Sequence, residues 1–155
     1  MFDVTIRPEP ARRLAAVAHK GPYMQIGQSF EKLGAILGGR GLWGKVGGMV
    51  GVYYDDPSAI PAKDLRSHAG AILPAGEALP AGLEEVRLPA GRYACLRFRG
   101  PYAGLQSAYD YLFGPWLAQS GEELGDAPAI EVYLNTPADA APDDLLTDVC
   151  MSLKS

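Results

Sequence analysis

Apolar and polar residues alternate along this chain in a pattern that occurs twice. From residue 23 onward, Tyr23, Ile26, Phe30, Leu33 and Leu37 stand at the i, i+3, i+7, i+10, i+14 spacing of one helix face. An offset of 79 residues carries them onto Tyr102, Leu105, Tyr109, Leu112 and Trp116, all apolar or aromatic. Each stripe follows a stretch of small and apolar residues closed by Gly-Pro-Tyr, at Gly21-Pro22-Tyr23 and Gly100-Pro101-Tyr102. Proline lacks the amide hydrogen a sheet ladder needs but suits the first turn of a helix, so each junction reads as strand end and helix start.

The remaining segments complete two β-α-β-β units, each preceded by an extra strand. In the first, 3–7 alternates as a short strand, which Pro8-Glu9-Pro10 is expected to break. Strand 13–19, helix 23–37 and strands 49–54 and 65–73 follow. In the second, strand 84–88 precedes strand 92–98, helix 102–119 and strands 130–135 and 146–153, and Pro115 is expected to kink the helix. A proline- and glycine-rich linker over 74–82 joins repeats of about 1–73 and 83–155. We expect one domain over 1–155, because each half alone offers little core. The expected class is α+β: duplicated β-α-β-β units forming an antiparallel sheet, with both helices on one face.

Composition narrows the function. The 155 residues are 48% hydrophobic and 21% charged with a net charge of −4, ordinary for a globular protein. No run of lysine and arginine could neutralise several phosphates, which argues against direct nucleic-acid binding, and Arg7, Arg12 and Arg13 read as solvated surface. Cys95 and Cys150 sit in apolar stretches and are expected to be buried, reduced thiols. With no signal-peptide pattern and no membrane-length apolar run, they suggest a cytoplasmic location.

Several chemistries lack their parts. Gly39-Arg40-Gly41-Leu42-Trp43-Gly44-Lys45 imitates a phosphate-binding loop, but Val46 stands where a magnesium-binding hydroxyl is needed, and the loop leaves a helix instead of opening one. It reads as a connector or as a flap carrying Trp43. His19 and His68, the only histidines, have no ligand spacing and no triad motif around them, so we expect no metal and no cofactor. The informative segment is Ile130-Glu131-Val132-Tyr133-Leu134-Asn135. Alternation puts Glu131, Tyr133 and Asn135 on one face and Ile130, Val132 and Leu134 on the other, which we expect to meet the helices. If that face is open to water the trio is simply solvated; if the sheet curls between the copies, Glu131 becomes a carboxylate among aromatics, which suits a cationic guest. In the first copy Gly51, Tyr53 and Asp55 take the corresponding face, so that glycine stands where the second copy has glutamate.

Taken together, the two Gly-Pro-Tyr junctions, Gly51-Val52-Tyr53-Tyr54-Asp55-Asp56-Pro57, Leu112-Phe113-x-x-Trp116-Leu117-x-x-Ser120-Gly121 and Asp126-x-Pro128-x-Ile130-Glu131-x-Tyr133-Leu134-Asn135 resemble the GyrI-like small-molecule-binding family. That family includes gyrase-inhibitory proteins and the effector domains of AraC- and MerR-type regulators. The resemblance implies a pseudo-two-fold α+β domain with a ligand cleft between its halves, and in multidrug-binding members a glutamate with nearby aromatics that accept bulky, often cationic compounds. Glu131 and Tyr133 match that Glu-x-Tyr. Glu122 departs from the tyrosine many members have there, and the domain is expected to stand without a preceding helix-turn-helix, so not to be a DNA-binding regulator of that type. The expectation is a stand-alone binding protein for hydrophobic or cationic aromatic molecules, acting by sequestration or sensing. Its expected ligand-binding residues are Glu131, Tyr133, Tyr54, Trp43, Tyr102, Tyr23 and Phe98. Tyr109 and Trp116, on the buried stripe, are expected to serve packing. Two alternatives implied by the resemblance are hydrolysis of cyclopropane-containing toxins using Glu131, and a protein-interaction role with gyrase as partner.

Overall fold

In a computed structural model, which describes residues 2–155, eight strands and two helical segments follow in the order the repeat predicts. The strands are β1 (Val4–Glu9), β2 (Arg12–Lys20), β3 (Met49–Tyr53), β4 (Arg66–Ile72), β5 (Glu84–Leu88), β6 (Gly91–Arg99), β7 (Ala129–Tyr133) and β8 (Leu146–Ser152). Helix α1 is Gly27–Gly39, and the second helical rod joins α2 (Leu105–Tyr111) to α3 (Leu117–Ser120). A 3-10 turn opens each rod, at Tyr23–Gln25 and Tyr102–Gly104, directly after its Gly-Pro junction. Both junction glycines have positive φ, 126° at Gly21 and 138° at Gly100, a conformation a side chain would oppose. All pairing within the units is antiparallel, and the class is α+β.

Contacts divide the chain into two units, and the division is not the one between the sequence repeats. One unit is Ala11–Pro89; the other joins the described residues up to Pro10 to Ala90–Ser155. In the first, the strands run β3-β4-β2-β5; in the second, β1-β6-β8-β7. The extra strand before each copy therefore serves the other copy's sheet: β1 pairs with β6, and β5 with β2. Pro8 does not break β1, which continues to Glu9, because the end strand of a sheet tolerates a missing amide donor.

Each unit packs its helix on one face of its sheet. Leu33 and Leu37 of α1 meet Ala15, Val17, Tyr53, Ala69 and Ala71; Leu105, Ala108 and Leu112 meet Ala94, Leu96, Phe98, Val149 and Met151. At Pro115, where a kink was expected, the rod passes through a π-helical turn, Leu112–Trp116, and resumes until Gly121 ends it at φ 75°. Trp116 packs against this second core, as its place on the stripe predicts.

Candidate functional site

Register decides which side chains share the helix-facing side of the second unit's sheet. Phe98 lies opposite Thr147, Leu96 opposite Val149, Glu131 opposite Val149 and Tyr133 opposite Thr147. Since Leu96, Phe98 and Val149 belong to the core under α2, Glu131 and Tyr133 face the helix as well. This reverses the orientation expected from alternation: Ile130 instead shares the opposite face with its partner Cys150. Asn135 lies just past β7 and closes the turn, accepting from the Leu146 amide at 2.8 Å and donating to the Asp144 carbonyl at 3.0 Å.

Glu131 is only 6% exposed, and phenols hold both its carboxylate oxygens. Tyr109 on α2 donates to Oε2 at 2.6 Å, and Tyr133, two residues along the same strand, donates to Oε1 at 2.7 Å. Such short bonds to an ionised acceptor are the strong kind. These two bonds fix the carboxylate between the helix and its own strand, and both donors are themselves neutral. Tyr102 packs edge-on against Tyr133 with ring centroids 5.7 Å apart, and Phe113 stacks on Tyr109 at 6.1 Å and 14°. Burial pushes the Tyr102 phenol above its ordinary value, and the nearby Glu131 charge adds to that. Phe113 remains 38% exposed, so the aromatic surround reaches solvent on its side.

Tyr109 is the residue that sequence reasoning passed over. Its place on the apolar stripe suggested packing alone, yet its hydroxyl ties the helix to Glu131. A signal was present: a phenol on a buried stripe needs a polar partner, and Glu131 was the acidic candidate.

The first copy provides an internal comparison. Gly51 sits opposite Ala69 as Glu131 sits opposite Val149, and Phe30 takes the stripe position of Tyr109. Tyr23 and Tyr53 form an edge-on pair at 4.9 Å, repeating Tyr102 and Tyr133. The aromatic pair thus belongs to the fold common to both copies. Carboxylate and phenol are absent together in one copy and present together in the other, so the fold does not demand them.

The other expected ligand residues have these places. Phe98 is buried, with Gly104 so close that a Cβ there would lie 2.8 Å from its ring. Tyr23 donates to the Asp55 carbonyl at 2.9 Å and accepts from the Asp55 amide. Tyr54 is 37% exposed; its hydroxyl meets His68 Nδ1 at 2.8 Å, and the guanidinium of Arg66 lies 5.9 Å from its ring centre. Trp43, 51% exposed, lays its indole over Gly34 and Gly38 of α1, where a Cβ would come within 3.4 and 3.3 Å of the ring. Arg7 and Arg13 are not merely solvated: Arg7 pairs with Glu9 and Asp148, and Arg13 with Glu85. Among the described residues, no helix is long and apolar enough to cross a membrane.

Comparisons with known proteins agree with this architecture. The DNA gyrase inhibitor of Enterobacter lignolyticus (strain SCF1) is 32% identical over 138 residues, which span 86% of this chain and 87% of that protein. Among solved structures, the C-terminal domain of EcmrR superposes with a TM-score of 0.77 at 16% identity, covering 100% of this chain and 99% of that one. SAV2435 bound to tetraphenylphosphonium superposes at 0.66 and 15% identity, covering 99% and 94%. At those identities the structural likeness speaks for the fold. The profile of the GyrI-like small molecule binding domain matches residues 2–154, and the chain belongs to that family.

Proposed function

We propose that this protein binds bulky hydrophobic organic cations at Glu131, and that it acts by sequestering or sensing them. The observation that carries the reading is a buried carboxylate whose two oxygens are held by the Tyr109 and Tyr133 phenols, with Tyr102 and Phe113 beside them. A carboxylate fixed among aromatic rings is the group that an incoming organic cation would meet. Each ring face in reach adds roughly 0.5–2 kcal/mol of cation–π attraction. Delocalised cations suit such a place because they lose less hydration on entry than a compact ammonium does. Tetraphenylphosphonium, which occupies SAV2435, has this chemistry.

The test compares tetraphenylphosphonium with tetraphenylborate, which has the same shape and opposite charge, by isothermal titration. The phosphonium is expected to bind and the borate to fail, with Glu131→Gln abolishing the preference. Equal affinity of both ions, or an unchanged preference in the variant, rejects the reading.

A second reading rests on the relative named as a DNA gyrase inhibitor at 32% identity. DNA gyrase is then a protein partner, and the purified chain should slow supercoiling of relaxed plasmid. Unaltered supercoiling at a large molar excess removes it.

A further inference from the structure

On the sheet face opposite the Glu131 site, the second unit gathers a set of donors that binding of an organic cation does not use. Cys95 and Cys150 stand directly opposite one another on β6 and β8, both buried and both free thiols. The carboxylate of Glu9, from β1, reaches them, and the ligand atoms of all three side chains lie within 4.8 Å of one another. Arg7 flanks the cluster, its Nε 3.0 Å from Glu9 Oε2 and its Nη2 3.0 Å from Asp148 Oδ2. Arg97 holds the same Asp148 at 2.9 Å.

We propose that Glu9, Cys95 and Cys150 form a binding site for a thiophilic divalent cation, with zinc as the ion. Three arguments support it. The first is size: tetrahedral zinc, with Zn–S near 2.3 Å, needs thiolates about 3.8 Å apart and a carboxylate oxygen slightly closer, which the cluster reaches with small rotamer adjustments. Two sulfurs and one oxygen leave a fourth position for water.

The second argument is charge. Without metal, the carboxylates of Glu9 and Asp148 face the guanidiniums of Arg7 and Arg97, and these named groups balance. When zinc enters, two thiol protons leave to bulk water and a dication replaces them, so the balance is unchanged. A monovalent ion held by both thiolates would leave one negative charge buried, which is costly. Two soft thiolates select against magnesium and calcium, which prefer oxygen shells.

The third argument comes from the duplication. In the first copy the matching positions are Ala16 and Gly70, again directly opposite one another, with Leu88 of β5 in the place of Glu9. The fold builds the same corner there from small and apolar residues. The fold itself therefore does not require two thiols and a carboxylate at this corner.

The site is tested on the full reduced chain under anaerobic conditions. Cobalt(II), a spectroscopic stand-in for zinc, should bind one ion per chain, with thiolate-to-cobalt charge-transfer absorption and tetrahedral d–d bands. Zinc should displace it and be retained against a chromophoric chelator. Cys150→Ser and Cys95→Ala, the latter copying Ala16, should abolish the charge-transfer band. Glu9→Gln should weaken zinc by at least the roughly tenfold that even outer-shell partners of metal ligands contribute. Far-ultraviolet circular dichroism confirms that each variant is folded, and Cys95→Ala remains informative if Cys150→Ser does not fold. The proposal is overturned by cobalt spectra without thiolate bands, by metal affinity that survives Cys95→Ala, or by a reduced protein that forms a Cys95–Cys150 disulfide in air yet takes up no cobalt.

Discussion

Tyr109→Phe removes one oxygen atom and tests the geometry at Glu131 directly. The lost bond is 2.6 Å long and runs from a phenol to a carboxylate that is 6% exposed. Hydrogen bonds to charged groups contribute about 1.5–3 kcal/mol net, and burial leaves little water to replace the donor. Taking about 2 kcal/mol, the melting temperature of a chain this size should fall by roughly 4–8 °C. With a urea m-value near 2 kcal/mol/M, the midpoint should drop by about 1 M. Tyrosine packing is retained by phenylalanine, as Phe30 does in the first copy, so cavity terms are small. The assay is a double-mutant cycle with Glu131→Ala, read by urea denaturation. A coupling of about 1.5–3 kcal/mol is expected, because the phenol has no acceptor left once the carboxylate is gone. If Tyr109→Phe costs the same in both backgrounds to within about 0.5 kcal/mol, the two side chains do not interact as described, and the reasoning fails.

Other outcomes follow from the same structure. Gly125→Ala places a Cβ 2.8 Å from the Leu153 carbonyl oxygen, a backbone atom that cannot swing away, and should destabilise by about 1–3 kcal/mol in thermal unfolding. In a Trp116→Phe background, Gly38→Val should dislodge the indole of Trp43 from α1 and shift its fluorescence to the red; unchanged emission would contradict the docked position. The hydrogen bonds from Arg66 hold the Asp55 carboxyl below its ordinary value of 3.8. Stability from this pair is therefore complete above pH 3.8 and is lost as pH falls through the lower folded value, so Asp55 should titrate below 3.8 by NMR and move back up in Arg66→Gln. Asp55→Asn should keep the turn intact while removing that pH dependence, because Asn135 already accepts the matching amide of Leu146 in the second unit.

Local pattern carried most of the elements. The helix stripes, the Gly-Pro-Tyr junctions and the β-rich runs located the strands and both helical rods to within a few residues, because each depends on neighbours no more than about four positions away. Pairing between distant segments was not legible. Alternation in Ile130-Glu131-Val132-Tyr133 separates two faces but does not say which one meets α2; Val149 opposite Glu131 decides that, and it lies across a strand pairing no local pattern reveals. Cys95 and Cys150 were read separately for the same reason, and Glu9 joined them only because β1 pairs with β6 instead of ending at Pro8. Pro115 was expected to kink its helix, and the form the disturbance takes, a π turn over Leu112–Trp116 within a continuing rod, was not legible from the proline alone.

The crossed assignment of β1 and β5 bears on how this chain could be cut and rejoined. Cleaving the backbone in the 74–82 linker would leave each fragment holding a strand that belongs to the other's sheet, so neither would possess a full set of ladder partners. A circular permutant that joins residue 155 to residue 1 and reopens between Pro89 and Ala90 has the opposite property. It reads from Ala90 through Ser155 into the β1 segment and then on to Pro89, so each structural unit becomes one uninterrupted stretch of polypeptide.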